Sequence, residues 1–408
     1  MWQLPRAWPI LRRDPLAQVL TLWLSYFAIR AAVAAWEFPD LLAEQLDEVR
    51  RMARILLVLA VAWWVSGRVE TMLRLLAVAL VGLLLALVAY VEWNSLVSLL
   101  AGRARLLLGQ NAQHIGLFFA TAIVGWVVLA PRLLRVSEAR LGRWASIAFW
   151  LATFFLLVSA LLATQVRAAW LAILFWVAFY VSYQIWVRRR GMERLSGLHV
   201  LVVALAVASA VGLVAYHYEG VSERFAQEKS AITQLIAAGP QDAPLTSFGI
   251  RVRLWHVGLE KWSERKWFGW GPGTPPELIA DSGQPRPVSQ MAQFHNTPIE
   301  MLVRGGLVGL LLTLAVLLVL VRQVHAAWRS GKLPGDLAFF FASVLLLFIV
   351  VNFAEAYVDR QIGWIYFAFF AGLAYSFHLA PATQPADVTE TNGHSSMQRQ
   401  TPGQVYGD

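Results

Sequence analysis

FHNTPIEMLVRGGLVGLLLTLAVLLVLV, residues 294–321, decides how the chain folds. Thr297-Pro298-Ile299-Glu300 is a helix start: Thr297 can cap, Pro298 fits the first turn, and Glu300 can return the capping bond. The apolar run that follows, to Val321, is long enough to cross a bilayer. His295 then sits just outside a helix N-terminus at the membrane surface, where backbone N–H groups and the helix dipole favour an anion. That position suits a phosphate.

The same length rule finds further spans at roughly 16–36, 53–66, 72–91, 112–130, 144–163, 168–187, 197–216, 337–354 and 362–379. Composition agrees. Of 408 residues 58% are hydrophobic and 14% charged, with a mean hydropathy of +0.56, too little polar surface for a soluble protein. The expected fold is all-α, a polytopic membrane protein of about ten to twelve transmembrane helices. Ser95 to Leu108 is apolar but carries Arg103 and Arg105, and reads as an interfacial helix or part of a further span. The absence of cysteine excludes disulfides, thiolate metal sites and cysteine nucleophiles. The net charge of +9 does not point to nucleic acid, because the arginines fall mainly in short loops. No cleavable signal peptide is expected, since the first apolar run is too long and lacks a small-residue cleavage site.

Those loops set the orientation. Arg68 and Arg74, Arg132 to Arg143, Arg188 to Arg194, Arg322 to Lys332 and the basic N-terminal residues all fall on one side if the spans number ten. That side is the cytoplasm, and both termini lie there. The connections at 37–52, 92–111, 164–167, 217–298 and 355–361 then face outward. Four regions follow: membrane helices over 1–216, an outward loop domain over 217–298, membrane helices over 299–379, and a Pro/Thr/Gln/Ser/Gly-rich disordered tail over 380–408.

A loop of about 80 residues is far longer than an ordinary connection, and such loops are usually functional. Arg251 to Arg265 reads as a helix that gathers Arg251, Trp255, Gly258, Trp262 and Arg265 on one stripe. Guanidinium groups there could clamp phosphate oxygens while indoles receive sugar rings. The same pattern also fits an interfacial helix whose arginines snorkel. Phe268-Gly269-Trp270-Gly271-Pro272-Gly273 is a glycine-rich turn with no preceding strand, hence no nucleotide fingerprint. Arg167 stands at a tight outward turn, where a single arginine usually snorkels. Asn352, Glu355, Asp359 and Arg360 cluster at the last outward connection, either as a solvated loop or to orient a cation or hydroxyl. Asn111 and His114 open another span on the outer side and read as structural.

A basic, aromatic, outward-facing site at the lipid boundary suits a substrate with a lipid tail, a diphosphate and a sugar. Glycosyl transfer from it needs cations on the diphosphate and a hydrogen-bond acceptor for the incoming hydroxyl. Arginines supply the first, and a histidine the second.

His295-Asn296, followed after nine residues by Gly306-Leu307-Val308-Gly309, resembles the histidine motif of the O-antigen ligase family. Arg251-Val252-Arg253-Leu254-Trp255, leading to Gly269-Trp270-Gly271-Pro272-Gly273, is similar to its outward-loop signature. Thr164-Gln165-Val166-Arg167-Ala168-Ala169-Trp170 is similar to its earlier arginine motif, with alanine where glycine often follows the arginine. The resemblance implies a GT-C-type, inverting, metal-independent enzyme of the bacterial inner membrane with a periplasmic active site and no cofactor. It implies a donor glycan on undecaprenyl diphosphate and lipid A-core oligosaccharide as acceptor. His295 is expected as the catalytic base, Arg167, Arg251 and Arg265 on the diphosphate, and Trp255, Trp262 and Trp270 on glycan or lipid. Asn296, Glu355 and Asp359 are expected to support them. The single large outward loop favours a ligase over an O-antigen polymerase or a protein O-oligosaccharyltransferase of the same superfamily. A lipid-linked oligosaccharide flippase would place charges deep within several spans, and here Arg30 is the main such residue.

Overall fold

The computed structural model describes residues 4–100, 104–134, 140–190, 233–237 and 239–380. They form an all-α polytopic membrane protein. In chain order the main helices are α1 (Pro15–Glu37), α2 (Leu42–Met52), α3 (Leu57–Val65), α4 (Val69–Tyr90), α5 (Ala112–Val128), α6 (Arg140–Thr164) and α7 (Arg167–Arg189). After them come α8 (Ser247–Glu264), α9 (Thr297–Arg329), α10 (Gly335–Asn352) and α11 (Gln361–Leu379). Seven helices among the described residues are long and apolar enough to cross a membrane: α1, α4, the Trp144–Thr164 part of α6, α7, α9, α10 and α11. The expected span at 112–130 appears as the shorter apolar helix α5. The one at 53–66 is the 3-10 turn Ala53–Leu56 continued by the nine residues of α3. Gly372 lets α3 lie against α11, since a Cβ there would stand 2.6 Å from Val61. The expected span at 197–216 and the tail from 381 lie outside the described residues. Between Ser95 and Leu108 the helix is only Leu96–Leu100, too short to span.

The connections sort onto two ends. Gly273 N–H donates to Glu48 (2.6 Å), Gln165 Nε2 to the Ala104 carbonyl (2.8 Å), Tyr357 Oη to the Gln113 carbonyl (3.0 Å), and Arg251 Nε to the Ala354 carbonyl (3.1 Å). These bonds tie the 37–52 and 217–298 connections to each other, the 92–111 and 164–167 connections to each other, and the 354–357 turn to α5 and α8. At the other end Arg132 forms a fork with Asp336, and Tyr375 Oη donates to Asp14, the residue that caps α1.

The helix announced by residues 294–321 is longer than that run and is broken. Its cap is Asn296, not Thr297: Asn296 Oδ1 accepts from Ile299 N–H at 3.1 Å, and Thr297 and Pro298 fill the first turn. Such a cap contributes about 1 kcal/mol. Glu300 reaches past the cap, accepting at 2.5 Å from the N–H of Phe294, two residues before Asn296.

At Gly306 the backbone turns to φ 61°, ψ −163°, a region essentially restricted to glycine. The segment 266–271 inserts at the break and supplies the partners that the helix loses. Leu307 N–H donates to the Lys266 carbonyl (2.8 Å) and Val308 N–H to that of Trp267 (3.2 Å). Trp270 and Gly271 N–H donate to the carbonyls of Val303 (2.7 Å) and Arg304 (2.9 Å). The glycine-rich turn is therefore a backbone plug for a broken helix. A Cβ on Gly269 would meet the Val303 carbonyl oxygen at 2.4 Å.

The break has a geometric reason. The 33 residues of α9 measure about 50 Å and the 18 of α10 about 27 Å, at 1.5 Å per residue. Yet five residues join their lower ends, and Thr297 Oγ1 donates to Asn352 Oδ1 at 2.5 Å across their upper ends. The arm Thr297–Gly305 must therefore lean over the top of α10. Its Ile299 and Val303 join Leu254, Val257, Leu278, Ile279, Val288 and Phe294 in a small outer core, while Met301 faces the membrane core of α1 and α11. Arg304, only 1% exposed, is held by Glu300 and by Glu48 of α2, which locks the arm to the outer face.

Candidate active site

The leaning arm carries His295 to the 353–360 turn between α10 and α11. His295 adopts φ 52°, a left-handed conformation that few non-glycine residues hold without a surrounding lock. The lock is the Phe294–Glu300 bond before it and the Asn296 cap after it. Asn296 also donates from Nδ2 to the Phe353 carbonyl at 3.1 Å, tying the arm to the 353–360 turn.

That turn presents Glu355, which is 1% exposed. His295 Nδ1 lies 3.2 Å from each of its carboxylate oxygens, and Gln293 Nε2 donates to Oε1 at 2.7 Å. Burial alone would raise the Glu355 carboxyl. The hydrogen bond and charge of His295, then Arg251 and Gln293, outweigh it and hold the carboxyl below its usual range. In the neutral form of the ring, a carboxylate facing Nδ1 favours the Nδ1–H tautomer, which leaves Nε2 as an acceptor.

Arg251 approaches from α8. Nε donates to the Ala354 carbonyl (3.1 Å) and Nη1 to the Ser247 hydroxyl (3.2 Å), while Nη2 takes no partner among the described residues. Burial lowers its pKa and Glu355 raises it, but a guanidinium stays charged at any ordinary pH. One turn on, the Trp255 indole N–H is buried without a partner among the described residues. Gly258 packs α8 onto the arm: a Cβ there would stand 2.4 Å from Ile299 Cγ2 and 3.1 Å from Phe294.

The rest of the expected stripe serves a different place. The helix ends at Glu264, and Arg265 is its non-helical C-cap at φ −135°, ψ 60°. Arg265 pairs with Glu37 of α1 and stacks 3.9 Å over the Trp270 ring. Fourteen residues of α8 separate it from Arg251 by about 20 Å, too far to share one diphosphate. Trp262 and Trp270 donate their indole N–H groups to the carbonyls of Lys266 (3.0 Å) and Lys261 (2.8 Å), which shape the plug. Arg30 likewise donates to the Gly269 carbonyl (2.8 Å), so this span arginine holds the same turn.

Arg167 begins α7, half-buried, beside α5: a Cβ on Gly116 would stand 2.9 Å from Val166 Cβ and 3.2 Å from that of Ala169. Asp359 closes the 3-10 turn Tyr357–Asp359, and its side chain lies outside the described residues. His114 stands against Tyr357, with ring centroids 5.2 Å apart. It lies on the face of Glu355, the side expected for it, where the sequence alone assigned it only a structural part.

Below Thr297 and Asn352 the lean of the arm leaves a cavity of about 220 Å³. Trp23, Met301, Leu314, Phe348, Trp364 and Phe367 help line it, so a polar rim sits directly on an apolar chamber between spans.

Residues 152–314 match the family model described as O-antigen ligase. The match spans about two fifths of the chain's 408 residues. That O-antigen ligase stretch runs from α6 through the outer segment into α9, and holds Arg167, Arg251, Trp255 and His295. Glu355 and His114 lie outside it. The family marks a glycosyl-transfer enzyme of the O-antigen ligase and polymerase superfamily, acting on lipid-linked polysaccharide and lipid A-core type substrates in general. Among curated proteins none matches the chain.

Proposed function

We propose that the chain is an O-antigen ligase. It would transfer a preassembled glycan from undecaprenyl diphosphate to a hydroxyl of lipid A-core oligosaccharide at the periplasmic face of the inner membrane, with inversion and without a metal. The observation that carries this reading is the His295–Glu355 pair, in which a buried carboxylate faces Nδ1 at 3.2 Å, leaving Nε2 of the neutral ring to accept a proton. This is the arrangement a general base needs.

In the proposed step the acceptor hydroxyl oxygen attacks the anomeric carbon of the donor sugar. Its proton passes to His295 Nε2, and Glu355 stabilises the imidazolium. The bond from the anomeric carbon to the diphosphate oxygen breaks, and lipid diphosphate leaves with the electron pair. Arg251, with Nη2 available, and Arg167 would hold that diphosphate through charge-assisted bonds. Trp255 would meet the glycan. The apolar chamber under Thr297 and Asn352 would take the first isoprenoid units of the lipid.

The test is transfer by the purified protein from lipid-linked donor, with core lipid or peptide offered as acceptor. Glycan appearing on core lipid alone supports the ligase. Lengthening of the lipid-linked glycan would select a polymerase, and glycosylated peptide a protein oligosaccharyltransferase. Transbilayer movement without any product would favour a flippase.

A further inference from the structure

His114, the third residue of α5, is 4% exposed, and neither Nδ1 nor Nε2 has a hydrogen-bond partner among the described residues. Packing against Tyr357 does not require an imidazole, since a phenyl ring would fill the same space without burying two unsatisfied nitrogens. The Tyr357 bond to the Gln113 carbonyl clamps this end of α5 to the 355 connection, and Glu355 and Arg360 are both within electrostatic reach of the ring. Gln293 spends Nε2 on the Glu355 carboxylate and leaves Oε1 buried without a partner among the described residues.

These unsatisfied groups have a definite chemistry. A neutral imidazole offers one donor and one acceptor, and an amide oxygen offers another acceptor. That set fits sugar hydroxyls, each of which donates and accepts. It does not fit a diphosphate, which only accepts and calls for cations such as Arg251. Gln293 donates to the carboxylate that orients His295, and His114 packs on Tyr357 two residues along the same turn, so both belong to the surroundings of the candidate base.

We propose that His114, together with Gln293 Oε1, binds the acceptor glycan through a hydroxyl neighbouring the one that reacts. This rests on the glycosyl-transfer reading given above. A site that hydrogen-bonds a hydroxyl discriminates against acceptors lacking it, so the pair would also set which acceptor sugar is used.

The experiment measures steady-state transfer by the full chain in lipid nanodiscs, varying core-lipid acceptor and lipid-linked donor separately. His114→Phe keeps the packing against Tyr357 and removes the hydrogen bonds. His114→Asn keeps a donor and an acceptor. The expected result is an acceptor KM raised about tenfold by His114→Phe, a donor KM within about twofold of wild type, and substantial recovery in His114→Asn. A His114→Phe enzyme with the wild-type acceptor KM would reduce His114 to a packing residue and overturn the proposal. So would equal increases in the two KM values. If His114→Phe is not monodisperse, His114→Leu is read by the same criteria. Wild-type protein with no turnover would instead overturn the glycosyl-transfer reading, and the role of His114 with it.

Discussion

His295 Nδ1 and the carboxylate of Glu355 lie 3.2 Å apart, joined across 60 residues of chain. A buried carboxylate behind an imidazole orients the ring, fixes its tautomer and stabilises the imidazolium formed when the other nitrogen takes a proton. Glu355→Gln keeps the shape and loses that charge. It should lower the transfer rate by roughly a hundredfold or more at unchanged donor KM, checked by single-turnover kinetics.

The same pair makes a pH prediction. The Glu355 carboxyl is held below its usual range in the folded protein, so its contribution to stability is present above the unfolded value of about 4.3. It is lost as pH falls through the lower folded value. Thermal unfolding of wild type should therefore show no Glu355-dependent change between about pH 5 and 8 and a decline below about pH 4. Glu355→Gln should flatten that acid decline.

Arg251→Lys should impair transfer even though it keeps the charge, because lysine cannot hold the Ala354 carbonyl and a phosphate oxygen with one planar fork. A charge-assisted bond of roughly 1.5–3 kcal/mol corresponds to about one to two orders of magnitude in donor use. Donor KM and kcat/KM read this directly. Full activity would remove Arg251 from the diphosphate site.

Gly306→Ala should abolish folded protein. Its Cβ would stand 2.2 Å from the Trp267 carbonyl oxygen, at a φ and ψ that alanine avoids. Gly82→Ala in α4, helical and with open space around it, is the control and should be neutral or slightly stabilising. Yield and monodispersity in detergent separate the two.

The chain has no cysteine, so Ser282→Cys introduces a unique thiol in the outer segment. An impermeant thiol reagent added from the periplasm should label it in intact inner membrane. Labelling only after membrane disruption would invert the orientation.

Much of this architecture was legible in residues 294–321 and their counterparts, because a bilayer demands long apolar runs and the basic loops share a side. The break at Gly306 was not. A glycine inside an apolar run is compatible with an unbroken span, and only the distant loop carbonyls of Lys266 and Trp267 make the break affordable. Capping was misplaced by one residue because Asn296 and Thr297 are both good caps, and Pro298 fits either register. The helical stripe named Arg265 as a partner of Arg251, but periodicity cannot show that the helix stops at Glu264 or that Glu37 lies nearby. Glu355 was visible only as one of several polar residues, since its pairing with His295 depends on the arm leaning over α10. His114 gave no signal of its own. A lone histidine in an apolar helix looks structural until its unsatisfied nitrogens are seen.

The central claim is that His295 accepts the proton of the acceptor hydroxyl. It is tested most directly by single-turnover transfer in EDTA, comparing wild type with His295→Ala at saturating lipid-linked donor. The account predicts that wild type transfers normally in EDTA. It predicts that His295→Ala binds donor with unchanged affinity and transfers about a hundred- to ten-thousandfold more slowly. A mutant transferring at the wild-type rate would contradict it.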